Sequence, residues 1–280
     1  MLAKAQDRSI IFSIVILMSN NKVQTLQKSG ISIDIKGFHL RYHASLKATI
    51  AGLDMHIPAG LWTCILGRSG CGKSSLLRHL ASLLGEATDW SGTITTKPQG
   101  DSQHQIAYMA QQDLLMPWLS ALDNVMLSTQ FGPTLSPTKK TQFQFDKAHS
   151  LLQKVGLGHQ ANSLPGQLSG GMRQRVALAR TLMQDKPIVL MDEPFSALDA
   201  VTRYRLQNLA CQLLQDKTVV LITHDPQEAI RLANQLYIMQ GRPALAKLLA
   251  TPTSATPRNF DAECAELQQT IMDRLEQDYE

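Results

Sequence analysis

The chain has 280 residues, a formal net charge of +4, 44% hydrophobic residues and 18% charged residues. These proportions are typical of a globular protein, and the basic residues are too few and too scattered to indicate nucleic-acid binding. The spacing of the four cysteines excludes a zinc-ligand pattern and favours free thiols in a reducing compartment; they are Cys64, Cys71, Cys211 and Cys264.

The N-terminus carries an apolar run, residues 10–18 (IIFSIVILM), after Lys4 and Arg8. The run is too short to span a bilayer as a helix. A polar stretch, residues 19–22, follows where a signal peptide would have a small-residue cleavage site. We therefore expect residues 1–29 to be an N-terminal extension and the fold to begin near Ile31, with a short membrane-touching anchor as the alternative.

The first part of the fold is predicted to contain strands. Residues 31–60 show strands alternating with turns, which predicts a small β-subdomain. Residues 61–66 (LWTCIL) are apolar and predict a buried strand. Residues 73–84 predict a helix because four leucines fall on one face, namely Leu76, Leu77, Leu80 and Leu83.

Between that strand and that helix lies the pattern G-x-x-x-x-G-K-S, a phosphate-binding loop. Its glycines allow successive N–H groups to turn toward phosphate oxygens, and the helix N-terminus adds further donors. We expect Lys73 to reach the outer phosphates and Ser74 to bind Mg²⁺. The predicted nucleotide contacts are Gly67, Arg68, Ser69, Gly70, Cys71, Gly72, Lys73, Ser74 and Ser75. Alone, the loop indicates only nucleoside triphosphate binding, and a glycine-rich turn is the alternative.

Residues 112–180 have a more helical pattern, with candidate helices at 123–129 and 145–155, and then read LSGGMRQR at 168–175. Ser169 can cap a helix that begins near Gly171. This helix would direct Met172, Val176, Ala179 and Met183 inward and Arg173, Gln174 and Arg180 outward. Its capped N-terminus predicts a second anion site made by Ser169, Gly170 and Gly171.

Residues 181–240 return to alternating strands and helices, which predicts a parallel sheet. The apolar run 187–191 ends at Asp192 and Glu193, and the run 218–223 ends at His224. A buried parallel strand delivers such side chains to a site at its carboxyl end. Asp192 is expected to hold Mg²⁺ and Glu193 to activate water, with a solvated acidic turn as the alternative.

The phosphate-binding loop and the LSGG stretch, in this order, resemble the ATP-binding cassette (ABC) ATPases. The resemblance implies bound ATP and Mg²⁺, with the metal held by Ser74, Gln111 and Asp192. It implies that Glu193 is the catalytic base and that His224 and Gln111 contact the γ-phosphate and the water; Gln112 is the neighbouring alternative to Gln111. It also places Tyr42 against adenine, unless Tyr42 is only a half-buried strand residue, and it places Asp199 at a dimer interface. Two chains would pack head to tail, with the LSGG stretch of one chain facing the phosphate-binding loop of the other.

The fold implied is a P-loop α/β core with an antiparallel β-subdomain and a helical subdomain. We expect the ATPase domain to cover residues 31–250, with the helical subdomain at about 112–180. Residues 251–280 would be a linker, rich in proline and threonine, and a C-terminal helix over 261–275.

The segment 111–120 (QQDLLMPWLS) resembles the importer ATPases of the nitrate, sulfonate, taurine and thiamine-precursor (hydroxymethylpyrimidine) group. The resemblance implies a peripheral ATPase on the cytoplasmic face of the inner membrane. Its partners would be a separate permease and, indirectly, a solute-binding protein. We expect Trp118 to meet the permease, with a place in the core of the helical subdomain as the alternative. The rival function is a soluble ABC ATPase of a machine such as iron–sulfur assembly.

Overall fold

The computed structural model describes residues 30–98, 105–131 and 137–278, and within these ranges the protein has two β-sheets and seven α-helices. The predicted N-terminal extension, residues 1–29, lies outside the described residues. The smaller sheet is antiparallel in the order β2-β1-β4, with β1 at Ser32–Tyr42, β2 at Ile50–Ile57 and β4 at Thr88–Lys97.

The larger sheet has the strand order β5-β6-β7-β3-β8-β9 within the described part of the chain. Its strands are β3 (Trp62–Gly67), β5 (Ile106–Met109), β6 (Ile188–Asp192), β7 (Thr218–Thr223), β8 (Gln235–Gln240) and β9 (Leu245–Leu249). Neighbouring strands are parallel except β8 and β9. The segments that follow β3, β6 and β7 therefore leave the same edge of the sheet, which is where ligands bind in folds of this kind.

Helices follow the strands in chain order: α1 (Lys73–Leu80), α2 (Ala121–Met126), α3 (Pro137–Lys154), α4 (Gly170–Met183), α5 (Ala200–Leu213), α6 (Pro226–Leu232) and α7 (Ala262–Gln277). Helices α2, α3 and α4 pack on one another. The predicted fold class, an α/β core with an antiparallel sheet and a helical region, is confirmed. Among the described residues, no helix combines the length and the hydropathy needed to cross a membrane.

The larger sheet separates two hydrophobic cores because side chains alternate between its faces. On β6, Val189 and Met191 join the core under α4 and α5, whereas Ile188 and Leu190 join the core shared with the antiparallel sheet and α1. Strands β3, β6 and β7 are buried along their whole length. This explains why these strands are continuous apolar runs rather than alternating patterns.

Two predictions about helix faces are wrong. Helix α1 ends at Leu80, not near residue 84, because Ser82 adopts a left-handed conformation (φ 57°) and Leu83 N–H donates to the Arg78 carbonyl, a Schellman ending. Leu83 is consequently exposed. Gln174 was expected to point outward from α4, but it is buried, since α4 is covered by α2 and α3 as well as by the sheet.

Candidate functional site

The phosphate-binding loop connects β3 to α1 and surrounds the side chain of Lys73. The ammonium of Lys73 donates to the carbonyls of Gly67 (2.7 Å) and Arg68 (2.8 Å) and is buried. Gly72 has a φ of 110°, and a Cβ at Gly67 would lie 2.4 Å from the Met239 carbonyl oxygen. Both positions therefore require glycine. The loop thus concentrates one positive charge at the N-terminus of α1, as a phosphate-binding site requires.

The Asp192 carboxylate ends β6 and faces Ser74 in the first turn of α1. Asp192 is buried, and neither of its oxygens has a hydrogen-bond partner among the described residues. Burial raises the pKa of Asp192 above its ordinary value, the nearby Ser74 hydroxyl opposes the rise, and the charge of Glu193 adds to it. A buried carboxylate without a partner fits a hard divalent cation with oxygen ligands, so these residues fit Mg²⁺.

Two side chains from the ends of neighbouring strands contact the Glu193 carboxylate. Its Oε2 oxygen lies 3.0 Å from Nδ1 of His224, which follows β7, and accepts a hydrogen bond of 3.2 Å from Nε2 of Gln111, which follows β5. The Glu193 side chain is 15% exposed, so it is largely shielded yet reachable. The structure thus brings together the predicted trio Gln111, Glu193 and His224, and Gln111 rather than Gln112 makes the contact.

Tyr42 ends β1 beside the phosphate-binding loop. Its hydroxyl donates to Oγ of Ser75 at 2.9 Å, and the residue is half-buried. Within the loop itself, Cys71 is buried; burial raises the pKa of its thiol, so the thiol is neutral. The hydrogen bond to Ser75 places the Tyr42 side chain next to the first turn of α1, and stacking on adenine stays a prediction.

The LSGG stretch forms the capped N-terminus of α4 and is separate from the phosphate-binding loop. Oγ of Ser169 accepts a hydrogen bond from Met172 N–H (3.3 Å) and caps α4, whose first residue is Gly170. Ser169 and Gly170 are exposed, and Gly171 is half-buried against the segment 197–198. Asp199 caps α5 by accepting from Thr202 N–H (3.0 Å). Among the described residues, no hydrogen bond or ion pair joins Ser169 to the phosphate-binding loop.

Comparison with known proteins identifies the family. The family described as ABC transporter matches residues 50–196. An ABC transporter ATP-binding protein of Haemophilus influenzae is 42% identical over 228 residues, covering 80% of this chain and 90% of that protein. The chain belongs to the ABC transporter family.

One further relative is named as an import protein, and one solved relative contains bound nucleotide. An aliphatic sulfonates import ATP-binding protein of Escherichia coli is 39% identical over 241 residues, covering 84% of this chain and 88% of that protein. A solved dimeric ATP-binding cassette in a post-hydrolysis state with ADP and Pi has 27% identity and a TM-score of 0.66 and covers 81% of this chain and 100% of that chain. Membership of the family supports binding and hydrolysis of ATP by this chain.

The segment after Gln111 in this ABC cassette is held by contacts that sequence reasoning missed. Arg180 of α4 donates to the carbonyls of Asp113 (2.6 Å) and Leu114 (2.8 Å), and Nε of Arg173 donates to the Asp113 carboxylate (2.9 Å). Both arginines were expected to point outward. Each does lie at the surface of α4, but the segment 113–114 packs over them. These contacts could not be predicted from the sequence, because the partners are mainly backbone carbonyls, which give no sequence signal.

A buried asparagine fixes the rest of the same segment. Asn124 in α2 accepts from Met116 N–H (2.8 Å) and donates to the carbonyls of Met116, Leu119 and Ser120 at 3.0–3.2 Å. Trp118, at the tip, is 72% exposed. The alternative that Trp118 fills the core of the helical region is therefore wrong. The structure presents an apolar side chain on a rigid loop that begins at Gln111.

Proposed function

We propose that this chain is the ATP-hydrolysing subunit of an importer for a small organic anion of the sulfonate type. The observation that carries the proposal is the convergence of Gln111, Glu193 and His224 beside Lys73 and Asp192. The names of relatives that import aliphatic sulfonates support the substrate class. Nitrate, taurine and hydroxymethylpyrimidine stay predictions from the resemblance.

The proposed chemistry follows from the positions of the charged groups. Ser74, Asp192 and Gln111 would hold Mg²⁺, which neutralises phosphate charge when bound. Lys73 would move from the loop carbonyls to the β- and γ-phosphates of ATP. Glu193 would accept a proton from the attacking water, and His224 would bind the γ-phosphate while it holds Glu193 in place. Tyr42 would stack on adenine.

A second copy of the chain would complete each site. The exposed, capped N-terminus of α4 offers N–H donors that the phosphate-binding loop of the same chain does not reach. We propose a head-to-tail homodimer in which Ser169, Gly170 and Gly171 of the partner subunit bind the γ-phosphate, with Asp199 at the interface. The dimeric form of the solved relative supports this assembly.

The exposed loop that carries Trp118 would bind the permease. A large apolar side chain on a rigid loop is favourable for protein association, because little conformational entropy is lost on binding. Gln111 at the start of the loop would link permease position to the catalytic site. The chain would then sit at the cytoplasmic face of the inner membrane, and a solute-binding protein would deliver the substrate on the other side.

Growth of the source organism without this gene tests the proposal. We expect loss of growth on an aliphatic sulfonate as the sole sulfur source and normal growth on sulfate. Wild-type protein should restore growth, and the Glu193→Gln variant should not. Normal growth on sulfonates with a defect only on nitrate or hydroxymethylpyrimidine would assign one of those solutes as the substrate instead. Normal growth on all of these solutes would contradict a role in import.

A further inference from the structure

Arg203, in the first turn of α5, connects two loops that flank Glu193. One guanidinium nitrogen donates to the Leu198 carbonyl at 3.1 Å, and another donates to Oδ2 of Asp225 at 3.3 Å. Leu198 belongs to the segment 196–199, whose Ser196 hydroxyl donates to the Glu193 carbonyl at 3.0 Å. One side chain therefore bridges the segment after β6 and the segment after β7.

The acceptor Asp225 is fixed on its other sides. Its Oδ1 accepts from Gln227 N–H (2.9 Å) and Glu228 N–H (3.4 Å), which caps α6, and its own N–H donates to Oγ1 of Thr223 (3.0 Å). His224 lies between Thr223 and Asp225 in the chain. A guanidinium that holds Asp225 therefore holds the backbone on one side of His224, whose Nδ1 contacts Glu193.

The guanidinium is suited to this bridge in a way that an ammonium is not. It presents donors in a rigid planar fork, so it can bind two acceptors in different directions at once. The Arg203 side chain is 32% exposed, and its Nε is buried without a partner among the described residues. Burying an unpaired donor costs free energy. The hydrogen bonds of the two terminal guanidinium nitrogens, to Leu198 and Asp225, offset that cost.

We propose that Arg203 is a positioning residue for ATP hydrolysis: it couples the segment 196–199 to His224, and so makes the geometry of His224 and Glu193 depend on that segment. This inference rests on the proposed roles of Glu193 and His224. Because segment 196–199 would meet the partner subunit, the bridge would make hydrolysis sensitive to dimer closure.

The test compares Arg203→Gln, Arg203→Lys and the control Arg205→Gln, an exposed arginine on the same helix. In purified protein we expect Arg203→Gln to lower kcat by roughly ten- to a hundredfold, because small misplacements of catalytic groups have effects of this size. The KM for ATP should stay unchanged, since Arg203 lies outside the phosphate-binding loop. Arg203→Lys, which can reach only one acceptor at a time, should be intermediate, and Arg205→Gln should match wild type.

A double-mutant cycle with Asp225→Asn separates positioning from general stability. Asparagine still caps α6 but loses the charge that Arg203 binds. The effects of Arg203→Gln and Asp225→Asn on kcat should be strongly non-additive. Additive effects or a wild-type kcat for Arg203→Gln would overturn the inference, and so would a kcat that returns to the wild-type value once it is calculated for the folded fraction alone. If Arg203→Gln does not fold at all, the same readouts apply to Arg203→Lys. Normal hydrolysis by Glu193→Gln would instead contradict the site on which the inference rests.

Discussion

Nδ1 of His224 and Oε2 of Glu193 lie 3.0 Å apart, although 31 positions separate them in the chain. Glu193 makes this contact from an unusual backbone conformation, with a φ of 48°. The left-handed backbone conformation costs about 1 kcal/mol for a residue that has a Cβ. In Glu193 this conformation is held by the hydrogen bond from its N–H to the Ile222 carbonyl (2.9 Å). Strain at this position favours a functional role for the carboxylate.

The separation of Ser169 from the phosphate-binding loop leads to a prediction about assembly. Ser169→Arg places a long side chain where the γ-phosphate should meet the partner subunit. We expect isolated monomers to keep wild-type affinity for ATP, measured by fluorescence titration, while ATP-dependent dimerisation is lost. Lys73→Ala is the matched control, because it should lose ATP affinity in the monomer. Loss of affinity in the Ser169→Arg monomer would contradict a site shared between two chains.

The exposure of Trp118 predicts a defect in association rather than in folding. Trp118→Ala should leave the melting temperature and the basal ATPase rate close to those of wild type. Co-purification with the permease should fail, because the variant removes the largest apolar side chain that the loop offers to a partner. Phe143→Ala, an exposed aromatic on α3 at 70% exposure, is the control. A large fall in melting temperature together with normal association would contradict the docking role.

Asn124 gives a prediction about stability. Asn124→Ala removes the acceptor of Met116 N–H and the amide donor to the Leu119 carbonyl, whereas the carbonyls of Met116 and Ser120 keep backbone donors. We therefore expect the free energy of unfolding to fall by about 2–4 kcal/mol in urea titration. Asn259→Ala, at an exposed position, should change it little. Equal stability of the two variants would show that the loop does not depend on Asn124.

Glu228 gives a prediction about pH. Burial raises the pKa of Glu228 above its ordinary value of 4.5, although hydrogen bonds from Thr223 and Gln207 oppose the rise. The folded state therefore binds more protons than the unfolded state in the window that begins near pH 4.5, and the free energy of unfolding falls as pH rises through that window.

Glu228→Gln removes this penalty and keeps an oxygen acceptor for Gln207. The variant's free energy of unfolding should therefore rise relative to that of wild type as pH increases from 4 to 7, as measured by urea titration at each pH. Glu266→Gln, at an exposed position, should show no such trend. A flat difference for Glu228→Gln would mean that the carboxyl group is not perturbed in the folded protein.

The elements nearest the site could be predicted because their signals are local. The sequence predicts a strand at residues 218–223, and β7 has these bounds. Gly72 and Lys73 belong to the phosphate-binding loop pattern, which specifies its own backbone conformation. The bridge made by Arg203 could not be predicted, because one of its partners is a backbone carbonyl and the other is a carboxylate 22 positions from Arg203, and neither gives a local sequence pattern. The end of α1 at Leu80 was missed because Ser82, unlike glycine, gives no signal for a left-handed ending.

The most direct test is the ATPase rate and the oligomeric state of Glu193→Gln. Glutamine keeps the shape of the side chain and removes the base, so turnover should fall by roughly a thousandfold while ATP still binds. ATP should then hold two chains together, and size-exclusion chromatography with ATP should show a dimer that wild type forms only transiently. Hydrolysis near the wild-type rate, with a monomer in ATP, would contradict the assignment of Glu193 as the catalytic base of a dimeric ATPase.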